Sequence, residues 1–242
     1  MHLAAAVFSG RPGIQAALGD ALASPRSLEG AARAFLDVVY EPLAEALVLA
    51  RVFAILPRSA LPPPEAAHAD RVAAGAGEVL DARSPVLTLL ATRGTQPQWN
   101  ERLRSQVHLA LPLVSSTLVE ASPMIASLLD EIGVRLTSVL GPRLVSTARE
   151  VPEHPTLYVA DARTSTDARG RHRIPARDFV AAHDVKTVFG VAGSLGGGTL
   201  FAMLLFARQH VSRAVAEELV PVAADFRDAT LSVVTRQAFF ET

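Results

Sequence analysis

The chain has 242 residues, 50% hydrophobic and 19% charged, with a formal net charge of -1 and no cysteine. That composition supplies a buried core and excludes a disordered chain, and its near-neutral balance argues against a nucleic-acid binder, which carries a clear basic excess. Without cysteine there is no disulfide, thiolate metal site or cysteine nucleophile, and zinc would have only His and carboxylate ligands.

Met1 to Phe8 is apolar, but no basic segment precedes it and Arg11 follows at once, so it reads as a first helix or a loose end rather than a signal peptide. The stretch up to about Pro42 reads as helix. Ser27 is a partial cap, and Leu28, Ala31, Ala32, Phe35, Leu36 and Val39 form one stripe at helical spacing. Glu45 to Leu56 is β-compatible, ends at Pro57 and predicts a central strand. A stiff Pro-rich connection, Leu61 to Pro64, leads into an Ala-rich helix from Glu65 to Ala76.

Pro85 to Thr92 predicts a second strand. A polar loop, Arg93 to Gln106, holds the lone tryptophan, Trp99, and Val107 to Leu111 reads as a short strand. Leu113 to Val134 reads as helix in two pieces, with Ser122 as N-cap, Pro123 at the first helical position and Gly133 as C-cap; Arg135 to Glu150 is ambiguous. Thr156 to Ala160 reads as a strand, Asp161 to Arg173 as a charged loop, and Ile174 to His183 as a short helix opened by Pro175. The apolar runs Val185 to Ala192 and Thr199 to Ala207 flank Gly193 to Gly198 and predict a hairpin; neither approaches the roughly 20 residues that span a bilayer. Ser212 caps a last helix to Val234, with Glu217 and Glu218 early in it and a kink or break at Pro221. No fixed-period repeat is present.

This order of elements, and two stretches in particular, resemble the GAF family. One is HDVKTVFGVAGSLGGGTLFAMLLFARQHVSRAVAEELVPVAADF, His183 to Phe226, where Val185, Val188, Val191, Leu200 and Phe206 occupy the apolar places of the family's strand, glycine turn and strand. The other is LTLLATRGTQPQWNERLRSQVHLALPL, Leu87 to Leu113, similar to input domains attached to bacterial sensor kinases. The resemblance implies an α+β fold, a central antiparallel sheet with helices packed on it (GAF/PAS-like). Residues 1–42 would be a helical N-terminal extension and residues 43–242 the sensory domain. It also implies a stand-alone input module, since the chain ends a few residues after its last helix. Covalent bilin attachment is closed for want of cysteine.

The glycine cluster reads as a turn and not as a phosphate loop, because Thr199 and an apolar strand follow it instead of Lys and a helix. Ser194 sits in Gly-Ser-Leu-Gly and lacks the nucleophile-elbow pattern. Among the seven histidines no pair has i, i+4 spacing; His108 and His183 are the positions for a haem or metal ligand, beside the plain reading of surface or core histidines. Arg163, Arg169, Arg171, His172, Arg173 and Arg177 form a locally basic loop offset by Asp161, Asp167 and Asp178, which reads as solvated.

The best candidate binding site is Trp99, Asn100, Arg102, Arg104 and His108, with His183. An aromatic plane, an amide and two guanidiniums suit a nucleotide-like or planar anionic ligand. The alternative, in which Trp99 plugs the sheet edge and the arginines face water, stays open. The expected function is a cytoplasmic, non-enzymatic sensory module that binds a small molecule or a signalling protein, as a homodimer through its terminal helices and with no membrane or nucleic-acid partner. The rivals are a scaffold whose interior is filled by Phe53, Phe189, Phe201 and Phe206, and a haem or metal sensor. An enzyme built on His108 or His183 with a carboxylate finds no support in the spacing.

Overall fold

The computed structural model describes residues 11–105, 107–120, 123–131 and 156–241. Two helices, α1 (Arg11–Ala21) and α2 (Leu28–Tyr40), precede strand β1 (Leu47–Pro57) and helix α3 (Pro63–Gly75). Strands β2 (Pro85–Gly94) and β3 (Ala110–Pro112) follow, then helices α4 (Ser116–Glu120) and α5 (Pro123–Glu131). After β4 (Thr156–Val159) and α6 (Arg177–Ala182), a hairpin of β5 (Thr187–Gly196) and β6 (Thr199–Ala207) leads into α7 (Arg213–Glu217) and α8 (Val220–Thr235). The six strands form one antiparallel sheet in the order β3-β2-β1-β6-β5-β4. The fold is α+β, a central antiparallel sheet with helices packed on it, as the resemblance to GAF domains implies.

The sheet is covered on both faces, which explains why its central strands read as unbroken apolar runs instead of alternating ones. All nine residues of β6 are buried. On one face Ala50, Val52, Ala54 and Leu56 of β1, Phe189 and Val191 of β5, and Phe201, Met203 and Leu205 of β6 meet α1, α2 and α8. There Phe226 of α8 stacks between Phe35 and Phe201, with ring centroids 4.6 and 5.2 Å away. Residues one step out of phase form a second cluster on the opposite face: Leu49, Phe53 and Ile55 of β1, and Leu200, Ala202, Leu204 and Phe206 of β6. Period two on a pleated strand makes this division.

Local signals behave as their chemistry demands. The Ser27 hydroxyl accepts the Gly30 amide at 2.9 Å, and every residue of the α2 stripe is buried. Gly196, Gly197 and Gly198 all have positive φ (87°, 58° and 81°), the region where a β-carbon is penalised, so the cluster is a hairpin turn and not a phosphate loop.

Four local expectations are corrected. The third strand is Ala110–Pro112, not Val107 to Leu111, because it pairs only where β2 offers Val86 to Thr88. Pro175 precedes α6 instead of opening it. The break expected in the last helix is present but lies at Glu218 and Leu219, not at Pro221, which falls in the first turn of α8, where its missing N–H costs nothing. Glu217 therefore ends a helix instead of lying early in one. The expectations for Met1 to Phe8, Ser122, Gly133 and Arg135 to Glu150 lie outside the described residues. Among the described residues no helix is long and apolar enough to cross a membrane.

Candidate functional site

The second face of the sheet encloses a cavity of about 470 Å³, within the ~300–1,000 Å³ range of small-molecule sites. Its floor is Leu49, Arg51 and Phe53 of β1 with Leu204 and Phe206 of β6. Its walls come from Trp99, His108, Val72 of α3, Met124 of α5, and Ile174 and Phe179 near α6. The floor residues share one face because they alternate along two adjacent strands, with Arg51 opposite Leu204 in register.

Trp99 lies in a short 3₁₀ turn, Pro97–Asn100, after β2. It forms an edge-on aromatic cluster with Phe179 (5.6 Å) and His183 (4.8 Å), and Phe179 stands edge-on to Phe206 (5.7 Å). Gly94 permits this placement, since a β-carbon there would stand 2.8 Å from the indole.

Arg51 is the one charged group on the floor. Burial lowers its guanidinium to about 10, which leaves it charged at neutral pH, and its Nε has no partner among the described residues. His108 is lowered to about 4, first by burial, then by the Arg51 and His68 charges, so it is neutral at physiological pH. A smaller recess of about 250 Å³ adjoins the cavity, sharing Arg51, Trp99, Val107 and His108 with it. Thr92, Gln98, Arg104 and Ser105 make the recess more polar. Thr92 is buried, faces Arg51 across the β1–β2 ladder, and its hydroxyl is likewise unpartnered among the described residues.

Three of the six site residues anticipated from the sequence gather in the aromatic wall: Trp99 and His108 line the cavity, and His183 packs on Trp99 behind it. Arg104 lines only the outer recess, exposed and paired with Glu101 at 2.6 Å. Asn100 and Arg102 are turned to other tasks. The Asn100 side chain accepts the Gly94 amide at 2.8 Å. Arg102 donates to Glu29 at 2.6 Å and to Glu65, and lies over the Phe240 ring. Arginines of the basic loop are paired both within it and to other segments: Arg171 to Asp167, Arg163 to Asp184 after α6, and Arg169 to Glu120 of α4. Among the described residues, no group of three His, Asp or Glu side chains is arranged to hold a metal ion.

Arg51, Thr92, Phe179 and Leu204 were not anticipated. Arg51 did carry a signal: it is the single charge inside the run LVLARVFAIL, in period-two phase with Leu49 and Phe53. The four phenylalanines expected to fill a scaffold interior divide between the faces. Phe189 and Phe201 pack under α8, while Phe53 and Phe206 line the cavity.

A single antiparallel sheet, clad on both faces, holds an apolar cavity against one of them. Solved structures that match the chain include an N-acylhomoserine lactone-dependent LuxR family transcription factor from Burkholderia cenocepacia, 10% identical, covering 95% of this chain and 97% of that one, with a TM-score of 0.43. The phycoerythrobilin-bound GAF domain of a cyanobacterial phytochrome is 12% identical over 94% of this chain and 96% of its own, TM-score 0.47. The photosensory core module of the Stigmatella aurantiaca phytochrome is 10% identical over 95% of this chain and 38% of its own, TM-score 0.41. No protein-family model matches the sequence, and no curated protein is similar to it.

Proposed function

We propose that the chain is a sensory or regulatory module that binds a small, largely apolar organic molecule between the sheet and the Trp99–Phe179 wall. The observation that carries this reading is the cavity of about 470 Å³, whose lining is predominantly apolar and whose floor is strand rather than loop. A floor of paired strands is pre-organised, so little ordering cost falls on binding. The cover is lighter: Trp99 sits in a short turn and α6 has only six residues.

The readout follows from the chain path. The segment that supplies Trp99 and His108 to the cavity also supplies Arg102, which reaches Glu29 of α2, Glu65 of α3 and Phe240 near the C-terminus. A ligand that favours one placement of Trp99 thereby bears on the terminal helices, provided it binds two arrangements with different affinity. Ser194 is a hairpin residue whose hydroxyl accepts the Gly196 amide, and His108 and His183 belong to the aromatic wall, so the reading given to these residues is binding.

The test uses N-phenyl-1-naphthylamine, an uncharged dye that brightens in apolar surroundings. Saturable brightening with quenching of Trp99, the lone tryptophan, is expected. Val72→Trp and Leu204→Trp, which fill the cavity from the wall and the floor, should abolish it while far-ultraviolet circular dichroism stays unchanged. A folded wild-type chain that gives no saturable signal overturns the reading.

A further inference from the structure

Resting on the cavity reading above, we propose that the occupant is an organic monoanion: a carboxylate on an apolar body, with the acid held by Arg51 and Thr92 and the body in the cavity. These two residues sit opposite each other on β1 and β2; Arg51 lines both the apolar cavity and the polar recess, and Thr92 lines the recess beside it. Arg51 Nε and Thr92 Oγ1 are both buried and unpartnered among the described residues. The two groups are independent, lie on adjacent strands and can both donate to one acceptor.

The chemistry of the pair selects the ligand. A guanidinium only donates, and its charge is unchanged across physiological pH, so an acceptor with negative charge is the complement. Burying an unpaired guanidinium is costly, and a carboxylate removes that cost while adding charge-assisted hydrogen bonds. The other ionisable groups nearby do not alter the balance. Arg104 and Glu101 both line the recess and pair at 2.6 Å, so their charges offset, and His108 is neutral. The site therefore presents one positive charge. A phosphate monoester would bring close to two negative charges against walls of Leu, Phe and Met, leaving one uncompensated. A carboxylate brings one. The apolar body follows from Leu49, Phe53, Leu204 and Phe206, which offer a ligand no hydrogen bond.

The experiment titrates the full chain at about pH 7.5, where carboxylic acids are ionised, with two matched pairs: decanoate against decanamide, and 2-naphthoate against 2-naphthamide. Trp99 fluorescence and calorimetry supply the readout. In at least one pair the acid should bind about tenfold or more tightly than its amide. Arg51→Met should bring acid and amide within about twofold of each other, and Arg51→Lys should keep part of the preference. Thr92→Val, a milder change, should weaken the acid by several-fold and leave the amide unchanged, and it serves as the test if Arg51→Met does not fold. Equal binding of acid and amide, or an acid preference that survives both Arg51→Met and Thr92→Val, overturns the proposal and leaves the cavity reading standing. Should neither pair nor N-phenyl-1-naphthylamine bind, the cavity reading itself fails.

Discussion

Arg51 and His108 show how a few buried ionisable groups set the character of this face of the sheet. Both are pushed toward their neutral forms by burial, but from different starting points: Arg51 remains charged at about 10, while His108 at about 4 is neutral. The sign of the resulting pH dependence follows. The unfolded chain takes up a proton on His108 near pH 6.5 and the folded chain near 4. Between these values the unfolded state binds more protons, so stability falls as the pH drops through that window and is fully present above it. The expected loss is on the order of 2 kcal/mol, below the full linkage value because the ring keeps some solvent access. Chemical denaturation across the window measures it, and His108→Gln should flatten that part of the profile. The Arg51 charge contributes to holding His108 down, so Arg51→Met should also raise the histidine's titration midpoint, which NMR follows directly.

The strands carry two different kinds of packing on their two sides. Phe226 of α8 is fully buried between Phe35 and Phe201. Phe226→Ala should cost about 3–5 kcal/mol, because the transfer loss and a new cavity add together. Phe206 is nearly as buried but faces the existing cavity. Phe206→Ala forfeits fewer contacts and should cost about 1–3 kcal/mol, while enlarging the cavity and altering dye affinity. Urea unfolding of the two variants side by side checks the asymmetry. The same division bears on the terminal helices: Val222, Phe226 and Val233 of α8 lie in the chain's own core, while Leu231 of that helix is exposed.

The two ends of the fold are tied together. The amides of Leu28 and Glu29, in the first turn of α2, donate to the carbonyls of Ala238 and Phe239 at 2.8 Å each, so the C-terminal segment satisfies helix donors that would otherwise be orphaned. Over this junction Arg102 joins Glu29, the fully buried Glu65 and the Phe240 ring. Arg102→Met leaves the Glu65 carboxylate buried without its cation, and about 3–5 kcal/mol of stability should be lost. Adding Glu65→Met should recover much of it, since a well-packed apolar pair substitutes for a buried ion pair. Denaturant midpoints of the single and double variants decide the matter, and faster exchange of the Leu28 and Glu29 amides should accompany the single change.

Where a signal depends on neighbours in the chain, the sequence was sufficient. The Ser27 cap, the stripe from Leu28 to Val39, the Val185–Ala207 hairpin and the break near Pro221 arise from spacing, backbone sterics and local hydrogen bonds. The antiparallel sheet with its helices came from the resemblance to GAF domains, because unbroken apolar runs such as β6 mark strands buried on both faces without fixing how they pair. The site was half legible. Trp99 and His108 stood out as an aromatic and an ionisable group in a polar loop, and they do line the cavity. Arg102 stood out for the same reason, yet the fold turns it toward Glu29 and Glu65, carboxylates 73 and 37 positions away. Arg51 and Thr92 become partners only when β1 and β2 come into register, and Phe179 reaches Trp99 only once α6 is laid across the sheet. Period and propensity act over a few residues, whereas a binding site is made by contacts between segments far apart in the chain, and those exist only after the strands have paired.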